Sequence, residues 1–244
     1  MPDAKLAEIY AELAAQAQGG PTAAAVARET STLQRAPGGA IALPFTQPFG
    51  SIRLMVAPVN LDAEAQAAVD EAVASATAGW PKDVVFLTPR AQLHVTLFHV
   101  GRPGDTRPVL DDAGLADELG RVRAVAAATP AFSLVIDRLL LSDSGVLLLL
   151  FQTAGGDRTP FAMREAFRTA FPDAPAKQSI LLHSSLARFL ELPPSPEALA
   201  AATAACERAT QLLHGREVPM RTVWHVLEKS LPVAGTITDI PLLG

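Results

Sequence analysis

Cysteine is almost absent from this chain. Cys206 stands alone, so no internal disulfide can form, and a reducing compartment is the simpler expectation. Long apolar runs are missing too: the longest, Val146–Phe151, falls far short of the roughly 18 residues that a membrane-spanning helix needs. Positive charge is sparse, with 20 Lys and Arg against 25 Asp and Glu and a net charge of −5. No Lys/Arg-rich run could track the backbone of a long nucleic acid, so an extended nucleic-acid interface is not expected. The GxSxG, GxxxxGK(S/T) and GxGxxG patterns are absent, which removes the anchors of α/β-hydrolase, P-loop and dinucleotide-binding readings. With no HExxH segment and no cysteine pair, the expected metal and cofactor complement is none. The first residues carry Asp3, Glu8 and Glu12 without an apolar signal core, and transit peptides are poor in acids, so the expected location is cytoplasmic, away from membranes.

What the chain does have, it has twice. LHVTLFHV at Leu93–Val100 and LHSSLARF at Leu182–Phe189 share the pattern Leu-His-x-(Thr/Ser)-Leu-x-(His/Arg)-apolar. Side chains alternate faces along a strand, so His94 and Thr96 share one face, as do His183 and Ser185, while Val95, Leu97, Ser184 and Leu186 turn the other way. The remaining histidines, His99, His214 and His225, are followed two places on by Gly101, Arg216 and Leu227, so the hydroxyl pairing is confined to the repeated segments. Two imidazoles with hydroxyl partners suit proton transfer at a phosphoester. One ring removes a proton from the attacking oxygen, the other protonates the departing one, and an unperturbed pKa near 6.5 lets both forms exist near neutrality. Thr96 and Ser185 would then donate to the nonbridging phosphoryl oxygens. On the residues alone, a pair of core-strand histidines with satisfied hydrogen bonds remains the plainer alternative.

The two segments resemble the signature motifs of the two-histidine (2H) phosphoesterase superfamily, which includes LigT-like RNA ligases and cyclic phosphodiesterases. HSSLAR at His183–Arg188 is close to the common form His-x-Thr-Leu-Ala-Arg, with Ser185 where Thr is commoner. SDSGVLLLL (Ser142–Leu150), FPDAPAKQ (Phe171–Gln178) and VTLFHVGRPGDTRP (Val95–Pro108) resemble the plant and algal branch of RNA ligase/cyclic nucleotide phosphodiesterase proteins. The likeness extends over roughly residues 50–235. It implies an α+β fold of two pseudo-symmetric lobes, with antiparallel sheets facing each other across a groove. The implied activity is metal-independent opening of a cyclic nucleotide phosphate, either a 2′,3′-cyclic nucleotide or an RNA end bearing that group. His94 and His183 would be catalytic and Thr96 and Ser185 phosphate-binding. A nucleotide-binding module with little catalysis and an RNA end-joining ligase are the alternatives; the oligomeric state is left open.

The rest of the pattern fits α+β. Residues 1–40 are Ala-rich and partly helical, with Leu6, Ile9, Leu13 and Ala17 in a stripe broken at Gly19-Gly20-Pro21 and a linker at Pro37-Gly38-Gly39; they read as an appendage to a domain over 41–244. Strands are predicted at Ser51–Val59, Val84–Thr88 and Gln92–Val100, around a helix over Asp62–Thr77 capped by Asn60 or Asp62. A helix over Asp112–Ala127, a hairpin of Phe132–Leu141 with Val146–Gln152, and a helix opened by Thr159-Pro160 precede the motif strand at Ser179–Phe189. Ser195-Pro196 opens a helix with Leu199, Ala202, Cys206, Ala209 and Leu213 inward and Gly215 as its stop, followed by a strand at Thr222–Leu231.

Further candidates surround the motifs. Arg53, on one face of the first strand with Met55, is a candidate phosphate contact, and Lys177 is a candidate for the groove mouth. Phe98, in phase with His94, is a candidate base-stacking residue, as are Trp224 and Phe45. In a regular strand His99 and Arg188, five past each motif histidine, would face away from the groove; His214 and His225 read as structural.

Overall fold

The computed structural model describes residues 2–244, the first two of them as backbone only. In chain order the elements are α1 (Pro2–Ala17), α2 (Ala23–Glu29), β1 (Leu33–Gln34), β2 (Ile41–Ala42), β3 (Arg53–Pro58), α3 (Ala63–Thr77), β4 (Val85–Leu87) and β5 (His94–Gly101). They continue as α4 (Asp112–Ala127), β6 (Phe132–Leu141), β7 (Val146–Thr153), α5 (Thr159–Ala170), β8 (His183–Phe189), α6 (Pro196–Leu213), β9 (Glu217–Met220), β10 (Thr222–Ser230) and β11 (Ala234–Pro241). Two antiparallel sheets carry the fold, one ordered β11-β10-β3-β5 and the other β4-β8-β7-β6-β9, beside the small β1-β2 pair. The expected α+β class and antiparallel sheets are present, with one motif strand in each sheet.

Two cap signals act as their chemistry dictates, whereas Thr159 is the first helical residue of α5 and donates its hydroxyl to Asp157 at 2.6 Å. Asp62, rather than Asn60, caps α3 by accepting from the Ala65 amide at 2.8 Å, and Ser195 caps α6 by accepting from the Ala198 amide at 3.2 Å. α3 and α6 pack together and bury small residues, Ala65, Val69, Ala72 and Ala76 on one helix and Ala202, Ala205, Cys206 and Ala209 on the other, with Cys206 beside Leu141 of β6. Cys206 therefore packs in the core, as its place in the apolar stripe implies.

Three features depart from the sequence reading. β4 comes from the first half of the chain yet pairs with β8 as the edge of the second sheet. β9 and β11 have no counterpart in the predicted elements; β11 alternates poorly because it is an edge strand with most of its side chains exposed. The segment read as an N-terminal appendage is built into the core. Leu6 and Tyr10 are buried in the main cluster, and the Tyr10 hydroxyl lies 2.7 Å from the Phe151 carbonyl and 2.9 Å from that of Leu182. Burying a phenol requires such partners, and the Tyr10 hydroxyl sits between the Phe151 carbonyl and Leu182, whose own carbonyl also accepts the Phe151 amide at 2.8 Å.

Candidate active site

The two motif strands meet at the seam between the sheets, where the His94 amide donates to the buried Ser184 hydroxyl at 3.2 Å. Cross-strand partners fix which face each side chain occupies. His94 lies opposite Pro58 and Thr96 opposite Val56, so histidine and hydroxyl share a face; His183 opposite Leu150 and Ser185 opposite Leu148 repeat the arrangement. Both pairs are half-buried.

Each strand then carries a β-bulge at the same point of the repeat. The ladder skips Leu97 in β5, moving from Thr96↔Val56 to Phe98↔Met55, and skips Leu186 in β8, moving from Ser185↔Leu148 to Ala187↔Leu147. An extra residue in one strand shifts the alternation by one place. His99, opposite Leu54, therefore returns to the face of Thr96, and Arg188, opposite Val146, returns to the face of Ser185. This corrects the expectation that the two residues point away. Arg188 donates to the Ser185 hydroxyl at 3.3 Å and pairs with Glu29 of α2 at 3.1 Å, leaving the hydroxyl hydrogen of Ser185 free to be given to another group.

The same bulge overturns Phe98 as a stacking candidate. It sits on the opposite face, buried, with ring centroids 5.9 Å from Phe167 and 6.3 Å from Phe171. Arg53 is likewise not at the groove. It shares the back face with Met55, where it is buried against Glu118 of α4 at 3.0 Å and donates to the carbonyls of Gly50 and Pro108. His225 Nε2 lies 2.8 Å from the same Glu118, which explains why a carboxylate is tolerated in the core. Lys177 is exposed in the segment before β8. Trp224 lies opposite Val56 on the same face as Thr96, beside an apolar cluster of Leu54, Val56, Val226 and Val233. Phe45 is half-buried near the end of β10, its amide donating to the Lys229 carbonyl. The His214 ring is held by the Asp137 carbonyl.

Electrostatics at the seam favour neutral imidazoles. Burial pushes His94 down to about 4, against a hydrogen bond to the Gln92 carbonyl that pulls the other way and the charge of Arg188 that adds to the fall. His183 is also lowered to about 4, by burial first and then by the positive charges of His94, Arg188 and Arg164. The 2.7 Å bond to a carbonyl makes His94 Nδ1 the donor, so a neutral ring carries its lone pair on Nε2. Among the described residues no group of three or more His, Cys, Asp or Glu side chains stands together to hold a metal ion. The larger cavities lie elsewhere, one of about 620 Å³ between α1, β6 and α6 and another of about 680 Å³ beside Trp80.

A duplicated His-x-Thr/Ser strand, one copy per antiparallel sheet, is an arrangement that can be compared with known families. A model of the 2'-5' RNA ligase superfamily matches residues 60–216, a span that holds both motifs. The chain belongs to that superfamily. The 2H resemblance read from the motifs agrees with it. Among curated protein sequences none matches significantly. Solved structures share the fold of this 2'-5' RNA ligase superfamily protein at low identity. The protein TT0787 of Thermus thermophilus is 20% identical with a TM-score of 0.52, covering 79% of this chain and 98% of its own. ATU0111 of Agrobacterium tumefaciens str. C58, a conserved protein of unknown function, is 16% identical with a TM-score of 0.59, covering 85% and 90%. Usb1 of Kluyveromyces marxianus is 15% identical with a TM-score of 0.52, covering 80% and 99%, and has also been solved with uridine monophosphate.

Sequence reasoning missed the contributions of Ser184, Gln178 and Arg164. Gln178 accepts from the His99 amide and donates to the His99 carbonyl, standing in for a strand partner at the outer edge of β5. Nothing in local pattern marks these residues, because their partners are backbone groups distant in sequence.

Proposed function

We propose that this protein is a metal-independent phosphodiesterase that opens 2′,3′-cyclic phosphates of nucleotides or RNA ends, with His94 and His183 as the two proton-transfer groups. One observation carries the reading: the two histidine–hydroxyl pairs occupy equivalent positions on strands that touch at one seam. Water attacks phosphorus as one imidazole takes its proton. The bond from phosphorus to one ribose oxygen breaks, and the other imidazolium protonates that oxygen. Thr96 and Ser185 donate to the nonbridging oxygens, and Arg188 beside Ser185 adds positive charge as negative charge shifts onto them. The half-buried Trp224, packed on the buried cluster of Leu54, Val56, Val226 and Val233, is the surface we assign to the nucleobase, and Lys177 is a further candidate contact at the groove mouth.

A panel of 2′,3′-cyclic mononucleotides and RNAs with cyclic phosphate ends, with and without a 5′-hydroxyl RNA, tests this reading. Hydrolysis to a nucleoside monophosphate is expected. Ligated product alone would favour end joining, and tight binding without turnover would favour a binding module.

A further inference from the structure

Arg164 of α5 is a buried cation with no carboxylate partner among the described residues. Its guanidinium is spent on four backbone carbonyls. Nε donates to Leu97 at 3.1 Å, Nη1 to Ile180 at 2.8 Å, and Nη2 to Thr96 and Leu181 at 2.9 and 2.8 Å. Two of these acceptors are the bulge of β5, beginning at the motif threonine, and the other two lie just ahead of His183. β5 is the outer strand of its sheet and residues 180–182 belong to no strand, so these carbonyls have no ladder to fill them. A planar five-donor fork can reach all four of these acceptors in fixed directions, whereas a lysine offers only three donors from a single point. Neutral acceptors also leave the charge uncancelled beneath the seam.

We propose that Arg164 is a positioning residue of the phosphoester site: it sets the spacing between the two motif strands and keeps an uncompensated positive charge under the groove. This rests on the function proposed above. The charge favours an anion in the groove and disfavours a proton on His183, whose basicity it helps to depress. Burial lowers Arg164 itself to about 10, which still leaves it a cation at neutral pH.

The test uses the full chain with Arg164→Lys and Arg164→Gln, folding checked by thermal melt. The readouts are His183 titration by NMR, affinity for inorganic phosphate, and kcat on a 2′,3′-cyclic mononucleotide. Arg164→Gln removes the charge, so His183 should titrate higher than in the wild type and phosphate should bind more weakly. Arg164→Lys keeps the charge but not the fork, so His183 should stay low while kcat falls on the order of 10²-fold from misplaced groups. An unmoved His183 titration in folded Arg164→Gln, or wild-type kcat in Arg164→Lys, overturns the proposal. If Arg164→Gln does not fold, the Lys variant decides it. A wild-type protein inactive on every cyclic phosphate defeats the functional reading instead, and the His183 titration and phosphate affinity then judge Arg164 alone.

Discussion

Two imidazoles whose conjugate acids lie near 4 are neutral at pH 7, whereas the proposed displacement needs one proton on the pair. The singly protonated free site is most populated on the acid side and becomes scarce as pH rises. The profile of kcat/KM, which reports the free enzyme, should therefore peak below pH 6 and fall toward neutrality, with apparent values that belong to the pair. The profile of kcat should peak at higher pH, because a bound phosphate favours the imidazolium. A flat kcat/KM from pH 5 to 8 would contradict this. The same groups load stability. Between 6.5 and about 4 the unfolded chain binds protons that the folded rings refuse, so stability falls as pH drops through that window. His94→Gln and His183→Gln should each flatten that acid loss in urea titrations. The histidines and hydroxyls are legible in the sequence because strand alternation links residues two apart. The faces of Phe98, His99 and Arg188 are not, because a bulge changes phase without leaving a local signature.

At the scale of elements, helix extents are legible nearly to the residue, since α4 and α5 cover the stretches that periodicity and the Thr159-Pro160 signal mark, although Thr159 is the first helical residue of α5 and not its cap. Strand pairing is not. β4 joins the sheet of β8, a long-range choice that its three residues cannot encode locally. Nor does the stripe in α1 reveal Tyr10, which lies one place from Ile9 and bonds backbone more than a hundred residues away. The Tyr10 hydroxyl also accepts from the Leu182 amide at 3.2 Å, tying α1 to the residue before His183. Tyr10→Phe should cost about 1–3 kcal/mol in equilibrium unfolding, the usual penalty for leaving buried polar groups unpaired. A change within error would mean that α1 contributes little to that seam.

For the whole molecule, two sheets share one hydrophobic core, and the motif face is supported from behind by α5 and from the N-terminal side by α2 through Glu29. The proposed mechanism draws its charge stabilisation from hydroxyls, imidazolium and guanidinium groups, so exhaustive chelation should leave turnover intact; loss restored by one divalent ion would contradict it. The most direct test of the central claim is single-turnover cleavage of a 2′,3′-cyclic mononucleotide by the wild type, His94→Ala, His183→Ala, the double variant, Thr96→Ala and Ser185→Ala, each shown to be folded. If the two rings serve one displacement, each histidine change costs on the order of 10²–10⁴ in rate, the double change costs far less than their product, and the hydroxyl changes are milder. Full activity in a folded His94→Ala or His183→Ala protein would contradict the shared site.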